Sequence, residues 1–157
     1  MRIPKIYLET TMFNYYFDID RDAHADTVKL FDEIAEGKYD AYTSRTVIEE
    51  LERTKGDKQE KMLKLIADRE IPILETSVEA EKLADIYISE GIVPAKYRTD
   101  GLHIAIATVN DLDMIISMNF QHIVKRKTIK MTATTNSLIG YRAIEIYSPM
   151  EVISNDE

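Results

Sequence analysis

Cysteine is absent from this 157-residue chain, which excludes disulfides and thiolate metal sites and fits a reducing compartment. Glycine is scarce, at five residues, and no strand pattern is followed by the glycine-rich loop that cradles a nucleotide phosphate. No apolar run approaches the ~20 residues that a bilayer demands. The opening stretch "MRIPKIYLE" leads straight into a strand pattern, with no apolar signal region. A cytoplasmic location without membrane association is therefore expected. No repeat, low-complexity tract or linker interrupts the sequence. Residues 1–157 are expected to form a single domain.

Acidic side chains outnumber basic ones, 28 to 20, giving a net charge of −8. Long-range steering toward nucleic acid is unfavourable for such a molecule. A phosphate substrate must then be met by a local basic patch, by a bound cation, or by both.

What the chain does contain is an alternation of strand and helix patterns. "IPKIYLE", "YDAYTS", "IPILE", "DMIISMN" and "AIEIYS" read as strands. Between them lie the helical patterns "ADTVKLFDEIAEG", "RTVIEELER", "DKQEKMLKLIADR", "SVEAEKLADIYISEG" and "TDGLHIAIATVNDL", and a weaker one, "KTIKMTATTNSLIG". Glu60 and Lys64 stand four apart on the third helix, a spacing that suits an ion pair. In "TDGLHIAIATVNDL", Leu102, Ala105, Ile106 and Val109 fall on one stripe. Strands that look buried on both faces, alternating with helices, predict a three-layer α/β/α fold around a central parallel sheet.

In open α/β sheets the ligand crevice lies beyond the C-terminal ends of the strands. Glu9 ends the first strand, Asn119 ends "DMIISMN", and Asp100 opens the apolar helix before that strand. Glu49 and Glu50 follow "YDAYTS". At about 100° per residue, the apolar face centred on Val47, Ile48 and Leu51 points Glu49 away and puts Glu50 on its flank. Thr46 is placed to form a capping box with Glu49, and Arg53 to pair with either acid. Each residue has a purely structural use: Glu9 and Asp100 at helix N-termini, Asn119 in a turn. Their grouping at one predicted edge is what points to chemistry. Clustered carboxylates repel unless a cation sits among them, and oxygen-only donors suit Mg²⁺ or Mn²⁺.

With these residues assembled, the chain resembles the PIN-domain family. "YLETTMFNYYF" is similar to its opening motif, a strand ending in an acid followed by hydroxyl residues. "VIEEL" resembles the second motif, whose acid directly precedes a leucine, which again selects Glu50. "TDGLHIAIA" resembles the third, and "IISMNFQHIVK" the fourth. The resemblance spans nearly the whole chain. It implies a PIN-like fold and a metal-dependent endoribonuclease of the VapC-like toxin kind, with an antitoxin partner and a homodimeric state. Carried onto this sequence, Glu9, Glu50 and Asp100 would hold Mg²⁺ or Mn²⁺, and Asn119 would be the fourth corner. Thr11 would orient a carboxylate or a metal-bound water. There are two departures from the family pattern: the first acid is usually Asp, and the fourth position is often Asp. The extra methylene of Glu9 moves its carboxylate by on the order of 1 Å.

Lys125, Arg126, Lys127 and Lys130 form the one dense basic cluster, placed to meet RNA phosphates. "FNYYF" suits base stacking or simple packing. His103 and His122 lack the close histidine or cysteine partners of a zinc site and are read as structural or supporting. An aspartyl-phosphate phosphatase would need a carboxylate where Thr11 stands. The rival that remains is a catalytically weak or inactive PIN-like module that binds RNA or protein, and Glu9 and Asn119 are the residues that favour it.

Overall fold

The apolar runs that read as strands pair side by side in parallel. In the computed structural model, which describes residues 2–155, β1 (Lys5–Leu8), β2 (Asp40–Ser44), β3 (Ile73–Leu74), β4 (Met114–Ile116) and β5 (Glu145–Tyr147) form one sheet in the order β3-β2-β1-β4-β5. Ile6 pairs with Ala41 on one side and Met114 on the other, which fixes the register of the three central strands. Ile6, Tyr7, Leu8, Ile115 and Ile116 are fully buried, as expected of parallel strands covered on both faces.

Among the described residues seven α-helices flank the sheet: α1 (Thr10–Phe17), α2 (His24–Ala35), α3 (Arg45–Glu52), α4 (Asp57–Asp68), α5 (Val78–Ser89), α6 (Arg98–Val109) and α7 (Arg126–Ile139). They form two groups. Helix α1 contacts α2, α3 and α4, whereas α5 packs along α6. Asn136 of α7 joins the second group through Tyr87 of α5 and Thr108 of α6. Helix α6 is buried at every position from Gly101 to Thr108. The single stripe that its spacing suggests is thus exceeded, because the helix is wedged between sheet and neighbours.

The structure departs from the sequence reading in five places. Helix α1 carries no start signal except an acid at a strand end, and "TTMFNYYF" has no charged residue, with only Thr10, Thr11 and Asn14 to mark a polar side. Glu9 caps it, its side chain accepting from the Thr11 backbone N–H. Helix α3 is capped by Ser44, which accepts from Val47 N, and not by Thr46. Lys64 pairs with Asp68, not Glu60, and Arg53 makes no ion pair among the described residues. Strand β4 stops at Ile116, because the chain turns at Ser117 to satisfy side-chain hydrogen bonds at the sheet edge. No described helix is long and apolar enough to cross a membrane.

The sheet's order reverses between β1 and β4, since β2 and β3 lie on one side of β1 and β4 and β5 on the other. The crevice of such a sheet opens at that reversal, beyond the strands' C-terminal ends. At the opposite edge, Asp113 holds the N-terminal ends together. It accepts from Arg2 at 2.7 and 3.0 Å, from Lys5 N at 2.7 Å and from Arg142 at 2.9 Å. Burial disfavours its charge, but these donors outweigh burial and hold the carboxyl well below the usual range. A depressed carboxyl stabilises the fold above its unfolded value of ~3.9 and ceases to do so as pH falls further. Asp113→Ala is expected to lower unfolding free energy by about 1–2 kcal/mol at neutral pH. Urea melts compared at pH 7 and pH 3 should show that difference shrinking in acid.

Candidate acidic site

Glu9 follows β1 directly and is 3% exposed. Its Oε1 accepts from Thr11 N at 3.2 Å, Thr11 Oγ1 at 2.5 Å and Ser117 Oγ at 2.6 Å. Thr11 Oγ1 in turn accepts from Met118 N at 2.8 Å, and Ser117 Oγ accepts from Asn119 N at 2.9 Å. The ends of β1 and β4 are thus tied together by one carboxylate and two hydroxyls, at the point where the strand order reverses.

Glu50 lies in α3, on the flank of its buried face, while Glu49 is exposed. Glu50 Oε1 accepts from Thr10 Oγ1 at 2.6 Å and from His103 Nε2. His103 is fully buried in α6, and its Nδ1 is 2.6 Å from the Tyr7 hydroxyl, itself 2.6 Å from Ser44 Oγ. With His103 neutral, Ser44 donates to Tyr7, Tyr7 to Nδ1, and Nε2–H to Glu50. With His103 charged, Nδ1–H donates to Tyr7 and Tyr7 to Ser44. Either way, the Tyr7 hydroxyl and both ring nitrogens of His103 keep their partners.

Burial opposes charging His103, but the Glu50 bond and the negative charges of Glu50, Glu9 and Asp100 outweigh it and raise the imidazole's pKa. Burial likewise opposes the Glu50 charge, and His103, Thr10 and Arg53 reverse that and lower its pKa. Glu9 goes the other way. Burial, with some repulsion from Glu50, raises its pKa despite His103, Ser117 and Thr11.

Asp100 stands in the first turn of α6, with Oδ2 2.9 Å from His122 Nδ1. His122 N donates to Asn119 Oδ1 at 3.0 Å. The His122 ring lies on Tyr97, with centroids 4.2 Å apart and planes inclined by 31°. Beside Glu50 opens a cleft of about 310 Å³ lined by Arg45, Arg53, Thr99 and Leu102.

A common pattern runs through the three acids. Each has one oxygen pinned by protein donors: Glu9 Oε1, Glu50 Oε1 and Asp100 Oδ2. The other oxygen of each takes no hydrogen bond. Thr132 Oγ1 is the sole buried side-chain polar atom without a partner among the described residues, so these three free oxygens are open to solvent. No group of three or more His, Asp or Glu side chains among the described residues is close enough to hold an ion alone. The donor chemistry nonetheless fits a hard divalent cation, which binds through one or two carboxylates and keeps several waters. Glu9, whose charge burial penalises, is the group that such a cation would relieve most.

The structure therefore places Glu9, Glu50 and Asp100 within electrostatic reach of one imidazole. Thr11 sits against Glu9, and Asn119 in the turn after β4. Lys125, Arg126, Lys127 and Lys130 are exposed at and just before the start of α7, and none forms an ion pair among the described residues. Tyr7, Thr10, Ser44 and Ser117 are supports that sequence reasoning passed over. Thr10 alone was signalled, by the paired hydroxyls after Glu9. His103 and His122 emerge as the organising residues; the signal for the first was its place one turn after Asp100.

Fold and geometry together describe a parallel α/β protein with hydrogen-bonded carboxylates near the C-terminal ends of its central strands. Among solved structures, the chain is similar to VapBC2 from Rickettsia felis, crystallised bound to a DNA fragment from its promoter. The identity is 12%, the TM-score 0.57, and the match covers 92% of this chain and 98% of that one. It is also similar to VapC20 of Mycobacterium tuberculosis, a toxin that cleaves the sarcin–ricin loop. Here the identity is 11% and the TM-score 0.58, over 88% of this chain and 98% of that one. The chain has the PIN-like fold of these VapC structures. No protein-family model and no curated protein matches the sequence.

His103→Ala leaves Glu50 without its imidazole partner and removes one of the two partners of the Tyr7 hydroxyl, and is expected to cost about 3 kcal/mol of stability. The raised His103 contributes stability that is complete below its ordinary 6.5 and lost as pH rises through its folded value. The lowered Glu50 contributes above its ordinary 4.5 and is lost in acid. The gap between wild-type and His103→Ala denaturant midpoints should be widest at about pH 4.5–6.5 and narrow toward alkaline pH.

Proposed function

We propose that this protein is a metal-dependent endoribonuclease that hydrolyses RNA phosphodiester bonds with Mg²⁺ or Mn²⁺, and that it is the toxin of a toxin–antitoxin pair. The observation that carries the reading is the set of three carboxylates at the switch point, each with one oxygen fixed and one open. Glu9, Glu50 and Asp100 would hold the cation through those open oxygens. When bound, the ion supplies Lewis-acid stabilisation of phosphoryl charge and acidifies water.

The chain's own residues do the rest. His103 and Thr10 keep Glu50 oriented, and Thr11 and Ser117 keep Glu9 oriented, as outer partners do at metal sites. Asp100, held by His122, is placed to accept a proton from the attacking water. Asn119 uses Oδ1 on the His122 backbone, which leaves its NH₂ free to donate to a phosphoryl oxygen. Lys125, Arg126, Lys127 and Lys130, lacking acidic partners, meet the flanking phosphates. This answers the charge problem of a molecule at −8. The likeness to VapBC2 and VapC20 supports the toxin assignment and with it an antitoxin partner, while a homodimer is proposed from the family resemblance of the sequence alone.

The second reading, an RNA- or protein-binding module that does not cut, is favoured by the lack of a ready three-ligand group among the described residues. Two measurements separate them. Cleavage of a labelled RNA should need Mg²⁺ or Mn²⁺ and stop in excess chelator. Asp100→Asn should keep its melting behaviour and lose cleavage by ~10²-fold or more. Calorimetry should show divalent binding weakened by Glu9→Gln. Full cleavage in chelator would sink the nuclease mechanism, and metal-independent RNA binding without cleavage would establish the module instead.

A further inference from the structure

We propose that Tyr97 is a stacking platform for an unpaired nucleobase of single-stranded RNA bound beside the acidic site. The inference deepens the nuclease reading and rests on it for the identity of the polymer.

Tyr97 closes the 3₁₀ turn Ala95–Tyr97 and immediately precedes α6, three residues before Asp100. One side of its ring lies against His122. His122 is itself fixed on two sides, by Asp100 at Nδ1 and by Asn119 at its backbone N–H. The ring is therefore held by the same turn that carries Asn119. Yet Tyr97 is 39% exposed, and its hydroxyl takes no hydrogen bond among the described residues. A tyrosine kept for its hydroxyl would show a partner for it. One kept only as packing would be covered. This ring is backed by His122, partly exposed, and otherwise covered only by the exposed Lys96 side chain.

Its surroundings select the ligand. The exposed Lys96 ammonium lies over the ring, 5.7 Å from its centroid, so an incoming base would take its place there and leave it to meet the adjoining phosphate. Phe120, 49% exposed, directly follows Asn119 in the turn. The unpaired cations Lys125, Arg126 and Lys127 follow His122 by three to five residues. Backed aromatic rings flanked by free cations are how proteins grip single strands, since every base offers a π-face while the phosphates offer charge. A duplex keeps its bases stacked inside and offers none to the ring, so the substrate class is unpaired RNA.

The test is binding of a fluorescein-labelled single-stranded oligoribonucleotide, followed by anisotropy with Ca²⁺ in place of Mg²⁺. Tyr97→Ala and Tyr97→Leu should weaken binding about tenfold, whereas Tyr97→Phe stays within about twofold. Tyr97→Leu keeps apolar cover on His122, and thermal melts confirm that both variants fold. Removing single bases from the oligonucleotide should reveal one position whose loss weakens the wild type about tenfold and Tyr97→Ala hardly at all. In cleavage assays KM should rise with kcat little changed. Unchanged affinity in Tyr97→Ala, a fall in kcat alone, or no RNA binding by the wild type would each overturn the platform. A wild type that binds RNA with this Tyr97 dependence but never cuts would overturn the nuclease reading and leave the platform standing.

Discussion

A carboxylate at the end of a fully buried strand must find donors or lose its charge, and the three hydrogen bonds to Glu9 Oε1 meet that need in a way that shapes the rest of the site. Two come from Thr11, in the first turn of α1. The third comes from Ser117, just past β4. Because one oxygen collects donors from both sides of the switch point, the ends of β1 and β4 are locked to each other. The turn that carries Asn119 and His122 then has a single place to go. Thr11 reinforces the lock by receiving Met118 N. The cost is visible in the raised pKa of Glu9, where burial still outweighs its donors.

His103 is the second organiser. It reaches the crevice from α6, a helix buried on all sides, so its imidazole has little freedom to move. Tyr7 from β1 and Ser44 from β2 line up behind it, and Glu50 from α3 meets it in front. Four elements are thus joined through one ring. Glu50, Glu9 and Asp100 all act on this one imidazole and together outweigh the burial that opposes its charge, which raises its pKa. Many of these residues serve structure and site together. Glu9 caps α1 and Ser44 caps α3 while each takes part in the network. Helix starts at a sheet edge bring unsatisfied N–H groups and polar side chains to the same place, so structural capping and a functional reading of Glu9 do not exclude each other.

The fold was largely legible because parallel strands are so apolar. "KIYL", "MII" and their partners stand out against the amphipathic helices, and an identity of only 11–12% with VapC structures shows how little side-chain detail that pattern requires. Helix α1 escaped because its aromatic run has no charged residue and only a narrow polar side, Thr10, Thr11 and Asn14. Glu50 could be chosen over Glu49 by turning a helical wheel, since that choice depends on local periodicity alone. The pairing of Lys64 could not, since Glu60 and Asp68 lie equally four residues away and rotamers choose between them.

The amino-acid order by itself determined the alternation of strands and helices, the parallel sheet, and the presence of Glu9, Glu50, Asp100 and Asn119 at the edge where such sheets bind. These follow from periodicity and from strand direction, both local properties of the chain. Only the tertiary structure decided which oxygen of each acid is pinned and which is open, that His103 stands among the acids, and that Tyr97 rests on His122 with its ring exposed. Those facts depend on contacts between residues up to 108 positions apart, whose distances and rotamers are set by the packing of whole elements and leave no periodic trace in the sequence.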